Sequence, residues 1–110
     1  MADVPKQVEV WLAGKAREFK RPVVNLPTWR NAKVKFQAAS DWAPIEEDMD
    51  MDRSTYPALV PIGNIENASE FLVVDTSNAQ LPVLMYDHEV RKFVSGFDSF
   101  DAFVAAVREG

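Results

Sequence analysis

Cysteine is absent from this 110-residue chain. Disulfides, thiolate zinc sites and cysteine nucleophiles are therefore excluded. Histidine occurs once, as His88, and a single imidazole without thiols leaves zinc short of the several convergent ligands it needs. The four glycines are well separated, so no glycine-rich loop can hold a phosphate. No serine or threonine sits in a nucleophile elbow. No stretch approaches the roughly 20 apolar residues that cross a bilayer. The first residues, Met-Ala-Asp-Val-Pro-Lys, lack a basic start followed by an apolar run, so no signal peptide is expected and a cytoplasmic location is the simple reading. Asn67-Ala-Ser69 matches a glycosylation acceptor, which reads as chance in a chain that is not secreted.

What is present suits a globular protein. Apolar residues make up 47% and aromatics 11%, enough for one domain over residues 1–110 with a core that needs no staples. The charge is unevenly placed. Residues 1–35 hold eight Lys or Arg against three Asp or Glu, a net of +5. Residues 36–110 hold four against fourteen, a net of −10. The overall −5 equals one tract: Glu46, Glu47, Asp48, Asp50 and Asp52. An acidic surface repels phosphate backbones and attracts a basic partner, so nucleic-acid binding by this half is not expected.

Val4, Val8, Trp11, Leu12, Ala16 and Phe19 fall at helical spacing and predict an amphipathic helix over roughly residues 3–19. Asp3 is its expected N-cap, Pro5 lies in its first turn, and Arg21-Pro22 stops it. Residues 23–45 are the least readable. Lys33-Val-Lys-Phe-Gln-Ala38 alternates polar and apolar, which suits a half-buried strand. Phe71-Leu-Val-Val74 is a continuous apolar run of strand length. Asp75 to Gln80 is turn chemistry, with Asn78 suited to a left-handed conformation. Val83, Met85 and Val90 are assigned to one face of the next strand and Leu84 and Tyr86 to the other. Lys92-Phe-Val-Ser95 is a further strand, ended by Gly96. Phe100, Phe103, Val104 and Val107 mark the last helix, capped by Asp98 or Ser99. The fold class is therefore α+β, a small mostly antiparallel sheet packed with an N-terminal and a C-terminal amphipathic helix.

The order Tyr56-Pro, Leu59-Val-Pro-Ile-Gly63, Glu70-Phe-Leu-Val-Val-Asp75, Leu81-Pro-Val-Leu-Met-Tyr-Asp-His-Glu89 and Ser99-Phe-Asp-Ala-Phe103 resembles the SUKH superfamily of fungal cell-wall-assembly regulators and bacterial immunity proteins. The resemblance covers about half of the chain. The glycine-bearing motif that members carry before the sheet has no counterpart after Leu26-Pro-Thr-Trp29. The resemblance implies an α+β fold and a non-enzymatic role, binding and neutralising a toxin domain such as a nuclease or deaminase.

Each candidate site has a plainer reading beside it. Glu46, Glu47, Asp48, Asp50 and Asp52, with Trp42 nearby, are the candidate partner-binding residues, facing a basic protein. The same tract also reads as a solvated loop. As a calcium loop it lacks the glycine turn and the terminal bidentate glutamate. Met49 and Met51 add flexible thioethers that adapt to a partner surface. His88, between Asp87 and Glu89, could serve a small hydrolase as general base. Neighbours on a strand point to opposite faces, so both carboxylates cannot orient its ring, and a structural histidine is the simpler reading. Trp11 and the Phe97, Phe100, Phe103 cluster read as core, whereas Trp29 and Trp42 are undecided. The basic residues Lys15, Arg17, Lys20, Arg21, Arg30, Lys33 and Lys35 read as a solvated face. No cofactor and no metal are expected. The leading expectation is an immunity protein acting through its acidic surface. The alternatives are a regulatory or scaffolding module, with a homodimer as one form, and the His88 hydrolase.

Overall fold

Two short helices open the described chain because one glycine interrupts an otherwise continuous apolar stripe. In the computed structural model, which describes residues 5–26, 29–36, 58–66, 70–87, 89–90 and 92–110, α1 spans Lys6–Ala13 and α2 spans Lys15–Glu18. Gly14 between them leaves helical geometry at φ −118°, ψ −83°. Its N–H still donates to the Val10 carbonyl at 3.0 Å, so the stripe carries on and Val8, Trp11, Leu12 and Ala16 are all buried. The expected single helix is thus divided, at the residue of lowest helix propensity in its interior beyond the first turn. Asp3 lies outside the described residues. Pro5 occupies the N-cap without a side-chain cap, and the helical run ends at Glu18, three residues before Arg21.

Seven strands follow: β1 (Pro22–Leu26), β2 (Trp29–Phe36), β3 (Leu59–Ile65), β4 (Glu70–Asp75), β5 (Val83–Asp87), β6 (Lys92–Phe97) and, after the helix α3 (Phe100–Ala106), β7 (Arg108–Glu109). They form one sheet in the order β6-β5-β4-β3-β2-β1-β7, with every neighbouring pair antiparallel. The protein is α+β, and its sheet holds two strands more than the five that sequence signals mark at Lys33–Ala38, Leu59–Gly63, Phe71–Val74, Val83–Tyr86 and Lys92–Ser95. The surplus lies in β1, whose Val23, Val24 and Leu26 carry no legible period, and in β7, which is too short to leave one.

The register assigns the faces. Paired residues of an antiparallel sheet share a face and successive residues alternate. The row Phe36, Gly63, Leu72 and Met85 runs across β2 to β5 on one face. Trp11 meets Phe36 with ring centroids 5.0 Å apart, and Phe103 meets Phe97 at 5.4 Å, so α1 and α3 both cover this face. Phe71, Tyr86 and Phe93 form a row on the opposite face. Tyr86 packs on Phe93 at 4.7 Å. Val73, one place along this second face, is fully buried, as is Val74 on the first. Burial on both sides explains the unbroken Phe71-Leu-Val-Val74 run, where a one-sided strand would alternate.

Three sequence expectations need correction. Gly96 lies inside β6 rather than at its end, beside a register shift in the β5–β6 ladder. A Cβ there would lie 2.7 Å from the Val83 carbonyl oxygen, so the close approach of the strands, not chain termination, accounts for the glycine. Val90 falls in the turn after β5 and is 58% exposed, so it does not share the face of Val83 and Met85. In the β4–β5 connection the left-handed residue is Leu81, at φ 54°, not Asn78. The Asn78 side chain instead accepts from the Gln80 N–H at 2.9 Å, and its carbonyl accepts from the Leu81 N–H at 2.9 Å. Leu81 is packed against the core, which holds a bulky residue in a conformation it ordinarily avoids.

The last helix agrees with its sequence signal. Ser99 caps it, its hydroxyl oxygen accepting from the Ala102 N–H at 3.1 Å. Phe100 and Phe103 are 1% and 0% exposed and reach Trp11 at 5.8 and 5.9 Å.

Candidate functional site

The acidic tract Glu46, Glu47, Asp48, Asp50 and Asp52 lies outside the described residues, as do Trp42 and His88. Of the other residues singled out in the sequence, Trp11 is core at 8% exposure and Trp29 stands at the start of β2, 39% exposed. Among the described residues no charged side chain is buried, and no three His, Cys, Asp or Glu residues gather at metal-binding distance. None of the described helices is long and apolar enough to cross a membrane.

The described residues contain a different site, built by basic residues near the start of the chain. The β1–β2 register ends at Val23↔Lys33. Pro22, the next residue back, pairs only with Glu109 on β7, at the edge of β1 away from β2. Proline has no N–H to give a second ladder. From Lys33 onward β2 turns its pairing to β3, the Lys33 carbonyl accepting from the Glu66 N–H at 2.9 Å and Val34 standing opposite Ile65. The two strands therefore part, and a cleft of about 560 Å³ opens between the α2–β1 connection and the second half of β2. Arg17, Lys20 and Arg21 line it from one side and Lys33 and Lys35 from the other, with Glu66 the one acidic residue among the described lining. Leu12, Ala16, Val34 and Phe36 supply its apolar part. All five cationic residues are exposed.

The corner that carries Lys20 and Arg21 is fixed by Glu109. Its two carboxylate oxygens accept the backbone N–H groups of Lys20 and Arg21 at 2.9 and 2.6 Å. The Gly110 N–H returns to the Arg21 carbonyl at 2.8 Å. The N–H of Lys20, then that of Arg21, hold the Glu109 carboxyl below its ordinary pKa against an opposing desolvation, with the nearby Lys20 and Arg21 charges adding to the lowering. Hydrogen bonds to the ionised form favour that form. Further along the edge, Asn31 adopts φ 55°, its N–H donating to Asn25 Oδ1 at 2.9 Å, while Arg108 donates to Asn31 Oδ1.

Chemically, the cleft can hold an anionic group by charge while packing an apolar group beneath it. Reading the basic residues as a solvated face is correct for their exposure but misses their convergence. Five of the seven are brought around one opening by a strand pairing that the sequence does not announce. The alternation Lys33-Val-Lys-Phe36 was the available signal: it puts two cations on one face of β2 and two apolar groups on the other.

A second, shallower groove of about 650 Å³ runs between α1 and α3. Gln7 bridges its rim to Asp101 by a 2.7 Å hydrogen bond, and Val10 stands 60% exposed within it.

Comparison with protein-family models, curated proteins and solved structures finds no match for this chain.

Proposed function

We propose that this chain is a non-catalytic, cytoplasmic protein-binding domain of SUKH type, an immunity protein that neutralises a basic toxin domain by direct contact. The observation that carries this reading is the segregation of charge: residues 36–110 hold a net −10, and five of those carboxylates fall between Glu46 and Asp52. Such a field steers a basic partner into encounter and disfavours acidic competitors. The element order supports it too. β3, β4, β5, β6 and α3 follow one another as the Tyr56–Val107 pattern requires of the family it resembles.

The test uses the toxin domain encoded beside this protein's gene, or the protein captured with it from its native host. The triple substitution Glu47→Lys, Asp48→Lys and Asp50→Lys should weaken the complex by at least about tenfold and flatten its dependence on salt. An affinity and salt slope equal to those of the unaltered protein would remove the tract from the interface and the proposal with it.

A further inference from the structure

We infer that the basic cleft between the α2–β1 connection and β2 is a second, independent docking site, and that its occupant is an extended acidic segment of a protein partner in which carboxylate and apolar residues alternate. Three observations converge on that chemistry. The charge is one-sided: Arg17, Lys20, Arg21, Lys33 and Lys35 against Glu66 alone among the described lining. The cleft also opens where the β1–β2 ladder stops, beside a β2 segment whose described partners lie on β3 alone. A chain entering there meets β2 as a strand would.

The third observation is the alternation of the wall itself. Lys33 and Lys35 sit on one face of β2; Val34 and Phe36 sit on the other, beneath Leu12 and Ala16 of the helices. Residues two apart on a strand are roughly 6.6 Å apart. A segment running beside β2 places its own side chains on the same two faces with the same repeat. Carboxylates at alternate positions then meet the lysines, and the intervening apolar residues enter the helix-covered side. A block of acids followed by a block of apolar residues satisfies only half of this arrangement at a time. A nucleic acid offers phosphates of matching sign but no apolar groups in alternate register.

The probe is a fluorescein-labelled octapeptide of alternating glutamate and valine, compared by fluorescence anisotropy with a block peptide of four valines and four glutamates and with an eight-nucleotide oligothymidylate. The alternating peptide should bind at least about fivefold more tightly than either control, and K33E/K35E should weaken it about tenfold or more. R17E/R21E, on the opposite side of the cleft, should do the same. All four positions are exposed, so these variants keep the fold, which circular dichroism checks. Charge reversal at Glu47, Asp48 and Asp50 should leave peptide binding intact, which separates failure here from failure of the toxin-binding reading. Equal binding of the block peptide, tighter binding of the oligonucleotide, or indifference to both double variants overturns the inference. So does light scattering that shows a dimer abolished by K33E/K35E, since the occupant would then be a second copy.

Discussion

Replacing Phe103 by alanine should be the most damaging single truncation in α3. Phe103 is fully buried and stands at the centre of the aromatic cluster. Its ring centroid lies 5.4 Å from Phe97, 5.9 Å from Trp11, 6.0 Å from Phe100 and 6.2 Å from Phe36. Truncation of a buried phenylalanine costs about 3–5 kcal/mol, the lost transfer energy plus the cavity left behind. The site cannot readily collapse, because its neighbours belong to two helices and two strands, so the upper half of that range is expected. The entropy of unfolding is roughly 2.1 cal/mol/K per residue, or about 0.23 kcal/mol/K for a chain of this length. A loss of about 4 kcal/mol then lowers the melting temperature by about 17 °C. Urea unfolding followed by tryptophan fluorescence and circular dichroism measures the free energy, and thermal melts give the shift. Val104→Ala, half-buried on the same helix, is the control. If Phe103→Ala costs less than about 1.5 kcal/mol, or no more than the control, the cluster does not organise the helix face and the reasoning fails.

Two further outcomes follow from single positions. Gly63→Ala should destabilise by about 1–3 kcal/mol in urea titrations, because its Cβ would lie 2.7 Å from the Lys35 carbonyl oxygen, a backbone atom that can yield only if β2 and β3 separate. Glu109→Gln should lower the melting temperature at neutral pH, and the gap from the unaltered protein should close on acidification. The sign follows from the lowered pKa of Glu109 in the fold. Its contribution is full above the ordinary carboxylate pKa of about 4.3 and disappears as pH falls through the lower folded value. Melts at a series of pH values from neutral downward check this, and a gap independent of pH would contradict it.

Legibility in the sequence followed locality. α3 and the β3–β6 run declare themselves because each is specified by its own neighbours. Phe100, Phe103 and Val107 keep helical spacing, Ser99 supplies the cap, and the Phe71-Leu-Val-Val74 run has strand length, its burial on both faces emerging only in the assembled sheet. β1 was hidden because Val23, Val24 and Leu26 are buried through a register shift between Val24 and Leu26, which breaks any period of two. The left-handed conformation fell on Leu81 rather than Asn78 because packing against the core outweighed the local preference. The cleft was illegible for a related reason. Its two sides flank a β1–β2 ladder that stops at Val23↔Lys33, and where a ladder stops depends on register, which the residue pattern of either strand alone does not carry. The charge asymmetry that made the cleft possible was plain from the start, but a count of lysines and arginines carries no information about which of them share an opening.

The two-residue strand β7 has a further consequence. It is the strip that lies against β1, and without it β1 becomes an outer strand with an open row of amide and carbonyl groups. Removing residues 108–109 would leave every other strand in place and expose that row. The cheapest way to satisfy β1 would then be another molecule's backbone, so these two residues guard that edge against edge-to-edge aggregation.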